Sequence, residues 1–169
     1  MRFEWVVESN SAQEWLDVAP FLIEGDTSSD ASLGAPSKAL DDIAKHAKST
    51  LFSGLQIFFS PDKFSRSSPD VKHLAELAVA GGAEVLHARP PLPSSSELYD
   101  SPIIVISDKE LGNEKMKEVL FQVGRSIVDA KWLLDSLSRY EALPRDDFRI
   151  HIGGETGGLV FQTQLSVEF

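Results

Sequence analysis

Short runs of β-branched and aromatic residues alternate along the middle of this chain with stretches whose apolar positions recur every three or four residues. The most informative stretch is Gly124 to Tyr140, GRSIVDAKWLLDSLSRY. Ile127 and Val128 suit a buried strand, and Asp129 can accept the free N–H groups of a first helical turn. Ala130, Leu133, Leu134 and Leu137 then share one helical face, while Trp132 and Ser136 form an adjacent row one turn apart. The small serine leaves room for the indole to lie against a neighbouring element. A strand near 126–128 running straight into a helix over 129–139 is predicted.

The rest of the chain can be read the same way. Phe3, Val6 and Val7 make a short helical face, with Trp5 one turn before Ser9, an echo of Trp132 and Ser136. Residues 15–23, WLDVAPFLI, are broken by Pro20 and read as an extended surface segment. Gly25 to Pro36 is linker-like. Ser37 is placed to cap a helix carrying Leu40, Ile43, Ala44 and Ala47, with Asp41 and Asp42 in its first turn and Lys45 and Lys48 near its end. Leu51 to Phe59, LFSGLQIFF, reads as a strand that Ser60-Pro61-Asp62 ends, its firmest part at 56–59. A helix over 70–80 bears Val71, Leu74, Ala75, Leu77 and Ala78 and stops at Gly81-Gly82. Strands follow near 84–86 and 103–107, separated by a Pro/Ser-rich loop from His87 to Asp100. A helix over 114–123 carries Met116, Val119, Leu120 and Val123. The order β-α-β-β-α-β-α implies a four-stranded parallel sheet with helices on both faces, a three-layer α/β fold. Beyond Leu143 the pattern weakens: Phe148 to Ile152 can be extended, Gly153-Gly154 and Gly157-Gly158 break the chain, and Leu159 to Phe169 alternates loosely.

Composition adjusts this picture. With 42% hydrophobic and 25% charged residues, the 169-residue chain is of ordinary globular type. No apolar run reaches membrane-spanning length and MRFEWVVES lacks the features of a signal peptide, so an intracellular protein without membrane partners is expected. The net charge of −10 opposes sequence-independent attraction to nucleic acid. Seven acids and one base lie in residues 1–36, leaving 19 acids against 15 bases beyond, so a local basic pocket remains possible in the compact part. Zero cysteines exclude thiolate metal sites, and the four scattered histidines suggest no metal cage; no cofactor is expected.

Candidate chemistry is sparse. Gly81-Gly82 has no surrounding phosphate-loop pattern and reads as a helix stop, and Gly153 to Gly158 reads as a flexible turn. Asp41-Asp42, Asp146-Asp147 and the histidines form no nucleophile, base and orienter set, so no enzyme activity is expected. Trp132, Ser136, Gly81, Gly82 and Trp5 are read as structural core. Lys115 and Lys117 are helix-start lysines with an acidic partner as their alternative.

LFSGLQIFF, the Gly81-Gly82-Ala83 turn and the Trp132-Leu-Leu-Asp-Ser136 helix, in this order, resemble the BRCT domain. The resemblance implies a complete repeat over residues 51–143, a closing remnant of a first repeat over 1–24, a linker with a helix over 25–50, and a tail over 144–169. The layout is similar to the tandem BRCT region of the breast-cancer type 1 susceptibility protein and its ring-domain partner. It implies a non-enzymatic, nuclear interaction module of DNA-damage-response and repair proteins, one that reads phosphorylated partners. The alternative is a phosphate-independent scaffold or dimerisation domain. The family's phosphate cradle would fall on Ser60, on Pro61 where a glycine N–H is needed, and on Lys115 or Lys117. Proline has no N–H, so the complete repeat is not expected to read phosphate without an upstream repeat. The neighbouring groove would fall on Phe121, Gln122 and Arg125.

Overall fold

The structure, a computed structural model, describes residues 2–23, 34–60, 64, 69–93 and 101–152. Chain order is α1 (Glu4–Ala12), α2 (Ala35–His46), β1 (Gln56–Phe59), α3 (Val71–Ala80), β2 (Glu84–Leu86), β3 (Ile103–Ser107), α4 (Asn113–Val123), β4 (Ile127–Asp129) and α5 (Lys131–Arg139). Single 3-10 turns occupy Ala19–Phe21 and Arg145–Phe148. The four strands form one parallel sheet in the order β2-β1-β3-β4. Every strand, and every helix of the repeat, lies within a few residues of its predicted place.

The sheet separates two apolar layers. On one side Ile57, Phe59, Ile104, Ile106 and Val128 pack with Leu74 and Ala78 of α3 and with Trp132 and Leu133 of α5. On the other, Val105 and Ile127 pack with Met116, Val119 and Val123 of α4. The alternation along β3 explains this: Ile104 and Ile106 point to one face and Val105 to the other. Both faces are covered, as a parallel sheet requires.

Gly81 and Gly82 have separate tasks. A Cβ on Gly81 would lie 2.4 Å from the Phe52 ring, and one on Gly82, whose φ is +95°, would lie 2.4 Å from the Ser49 carbonyl. The pair ends α3 and seats Phe52, whose ring centroid is 5.3 Å from that of Trp132. Leu51 to Gly54 is accordingly a turn rather than the start of β1. Phe52 is driven into the core by burial, and Gly54 at φ +81° redirects the chain.

Three other local expectations are corrected. Helix α2 begins at Ala35, before Ser37, because Pro36 suits a first turn that needs no N–H; Asp41 and Asp42 fall in later turns. Pro20 likewise opens the 3-10 turn Ala19–Phe21 inside the segment expected to be extended. Beyond α5, Phe148 packs against the core, Arg149 bridges Val128 in antiparallel sense, and the Ile150 N–H donates to the Ile127 carbonyl (2.9 Å). This stretch of the expected tail is thus fastened to the free edge of β4. The turns at Gly153 to Gly158, the alternation over 159–169, Pro61 and residues 25–33 of the linker lie outside the described residues.

Candidate interaction surfaces

The candidate residues fall on separate parts of the molecule. Ser60 follows β1, and its N–H continues the ladder by donating to the Ile106 carbonyl (2.9 Å). Lys115, in the first turn of α4, lines an open depression of about 610 Å³ with Phe64, Asp108, Glu110, Leu111, Gly112, Asn113 and Glu114. Ser60 is not among the lining residues. Among the described lining residues the charged side chains are Asp108, Glu110, Glu114 and Lys115. Lys117 is engaged with Glu114 at 3.0 Å.

The other end of α4 carries the second group. Phe121 is 87% exposed. Gln122 accepts from Arg89 (2.8 Å) and donates to Glu118 (3.1 Å), so the loop after β2 is tied to the helix. That loop passes close to Gly124, where an added Cβ would lie 3.0 Å from Leu92 and 3.1 Å from Pro93. Leu92 is itself exposed. Arg125, expected to line a groove here, is only 8% exposed, and its Nε and Nη1 have no hydrogen-bond partner among the described residues. Phe121, Gln122 and Leu92, rather than Arg125, present the accessible surface.

A third cluster was not anticipated. The Asp42 carboxylate on α2 accepts from the Thr50 N–H (2.6 Å), the Thr50 hydroxyl (2.6 Å) and the Tyr140 hydroxyl (2.5 Å), and lies 2.9 Å from His46 Nδ1. Tyr140 also shares a 2.8 Å hydrogen bond with Ser49. These donors hold the Asp42 carboxyl well below the usual carboxylate range, Thr50 contributing most. Burial, with Asp42 accepting its proton, pushes the Tyr140 phenol upward. The cluster clamps α2 onto the segment before β1 and the end of α5. Among the described residues no cluster of His, Asp and Glu could hold a metal ion, and no helix is long and apolar enough to cross a membrane.

The Trp132 and Ser136 pair forms a brace. Trp132 Nε1 donates to the Leu143 carbonyl (2.8 Å), and Ser136 Oγ accepts from the Leu143 N–H (3.2 Å). The brace recurs at the start of the chain, where Trp5 Nε1 donates to the Leu16 carbonyl (2.9 Å) and Ser9 Oγ accepts from the Leu16 N–H (3.3 Å). Both helices have nine residues, and both stop at a non-glycine residue in the left-handed region, Gln13 at φ 54° and Tyr140 at φ 48°. A 3-10 turn ending in phenylalanine, Phe21 or Phe148, follows each. All these positions correspond under one shift of 127 residues. Serine was chosen in sequence for its size; its hydroxyl also satisfies a backbone N–H.

The family model described as BRCT domain matches residues 50–149. Similar solved structures include the BRCT domain of human DNA repair protein REV1, at 21% identity and a TM-score of 0.45, covering 62% of this chain and 91% of that one. The second BRCT domain of XRCC1 is similar at 14% identity and a TM-score of 0.45, covering 63% and 95%. The fission yeast RNA polymerase II CTD phosphatase Fcp1 is similar at 20% identity and a TM-score of 0.42, covering 68% of this chain and 33% of that one. No curated protein matches the chain.

Proposed function

The chain belongs to the BRCT domain family, protein-interaction modules found in DNA repair proteins, and from that premise we propose that it is a non-enzymatic recognition module of a nuclear DNA-damage-response protein. Its repeat over residues 50–149 takes part in reading phosphorylated partners only alongside a second repeat that supplies the phosphate cradle. The observation that carries this reading is Pro61, which removes a backbone donor from the sequence position where the cradle needs one. A missing charge-assisted hydrogen bond to an anion is worth roughly 1.5–3 kcal/mol, about 10- to 150-fold in affinity.

A second reading, a scaffold that binds unphosphorylated protein, is favoured by the exposed Phe121 and Leu92 beside the Arg89–Gln122 tie. Exposed apolar side chains next to fixed polar groups suit a protein partner without phosphate. Calorimetric titration of residues 1–169, and of a version extended by an upstream repeat in which the first reading alone expects phosphate-dependent binding, separates the two, using pSer-x-x-Phe peptides and their unphosphorylated counterparts. Weak or absent binding by the chain alone is expected. Micromolar, phosphate-dependent binding by residues 1–169 would place the cradle in this repeat and overturn the proposal.

A further inference from the structure

The brace built on α1 stands where the brace on α5 stands, but without the layer that α5 covers. Under the common shift, Phe3, Val6 and Val7 correspond to Ala130, Leu133 and Leu134. Ala130 and Leu133 are 5% and 0% exposed against the sheet, and Leu134 packs on the same cluster. Phe3, Val6 and Val7 are 75%, 49% and 48% exposed. The ring partners differ in the same sense. Trp132 lies against Phe52 of the core, whereas Trp5 stacks on Trp15 of its own exit segment, with centroids 5.1 Å apart.

The return of the chain is also reproduced. After the second 3-10 turn, the chain pairs beside β4 through Val128 and Arg149. After the first, the Phe21 carbonyl accepts from the Arg2 N–H at 2.7 Å, and Arg2 stands at the position of Asp129, the last residue of β4. An amphipathic helix shaped for a peptide groove has no use for this return; a helix that follows directly from a sheet strand has. We infer that the face of Phe3, Val6 and Val7 is a docking surface for the apolar face of a β-sheet in a further repeat of this fold, over which α1 closes as α5 closes over β1, β3 and β4. The occupant is a strand layer rich in Ile, Val and Phe, like Ile57, Ile104, Ile106 and Val128 here.

This inference shares with the proposed function the need for a second repeat but not the reading of phosphate. A photo-crosslinking residue in place of Val6, in the protein as its own cells produce it, tests the surface, with Glu8 as the control position. Mapped crosslinks from position 6 are expected in a strand of a further α/β repeat, in the same chain or a bound one. Crosslinks no stronger than the control, or to α1 of a second copy, or to a segment outside such a repeat, would overturn it. In purified residues 1–169, Val6→Asp is expected to leave the melting midpoint unchanged while Leu133→Asp abolishes the cooperative transition. A large loss from Val6→Asp there would mean the face is already covered within this chain, which also overturns the inference. Crosslinks as expected together with absent phosphopeptide binding by the cellular protein would remove the phosphate reading alone.

Discussion

In α5 the positions that follow β4 disappear under the sheet, and Trp132 is buried between that sheet and its own exit loop. In α1 the same tryptophan, serine and backbone carbonyl make the same hydrogen bonds, yet the adjoining apolar face looks outward. The comparison separates two contributions usually found together. Helix geometry and its stop come from local bonds across eleven residues. The decision to bury the helix comes from what lies beside it, since a helix this short draws most of its stability from packing.

The largest test of that separation is at the two tryptophans. Trp132→Ala should cost about 3–5 kcal/mol, whereas Trp5→Ala in residues 1–169 should cost less than about 1 kcal/mol. Urea unfolding followed by far-UV circular dichroism measures both; equal losses would mean that the two helices are equally packed. Next comes the seat that only α5 possesses. Gly81→Ala drives a methyl group to 2.4 Å from Phe52, which must shift beneath Trp132. A cost of about 1–3 kcal/mol is expected from the same denaturation curves, with no change on the α1 side.

The serines should differ less. Ser136→Ala leaves the Leu143 N–H without its acceptor and should cost about 1 kcal/mol, and Ser9→Ala about as much, because both hydrogen bonds are half-buried. Faster amide hydrogen exchange at Leu143 and Leu16 reports each loss directly.

The smallest effect at neutral pH becomes visible in acid. The Asp42 carboxyl titrates lower in the folded chain than in the unfolded one, so its contribution is complete above the unfolded value near pH ~4 and is lost as pH falls below it. Wild type should therefore lose melting temperature between neutral pH and pH ~3 more steeply than Asp42→Asn. Parallel slopes would show that the clamp on α2 contributes nothing. The Tyr140 phenol is raised, so its share is present below its unfolded value near pH ~10 and fades as pH rises through the folded one.

Much of this architecture was legible in the residue pattern, and the limits have physical causes. β3 was readable because a strand buried on both faces needs an unbroken apolar run, IIVIS. The recurrence of Trp and Ser one turn apart was also visible. The partner of each was not, because a backbone carbonyl and N–H eleven residues on leave no mark in side-chain type. Leu51 to Gly54 looked like strand because a turn that buries Phe52 is as apolar as a strand. The Asp42 clamp joins residues 98 apart, and no local period announces such a meeting. Lys115 was placed at the start of α4 from its sequence position, and the carboxylates beside it, Asp108, Glu110 and Glu114, are its near neighbours in the chain; only Phe64 on the same rim is brought there by the fold.

The reach of the brace has a consequence for the order of events as the chain folds. Closing a loop of about ten residues takes on the order of 10–100 ns, whereas pairing β1 with β3 must bring Gln56 beside Ile103 across an intervening helix and strand. Each tryptophan can therefore meet its carbonyl many times before any strand finds its neighbour. Collapse of the parallel sheet then selects helix ends that are already marked out, and the late search is for a partner surface rather than for the point at which a helix should stop.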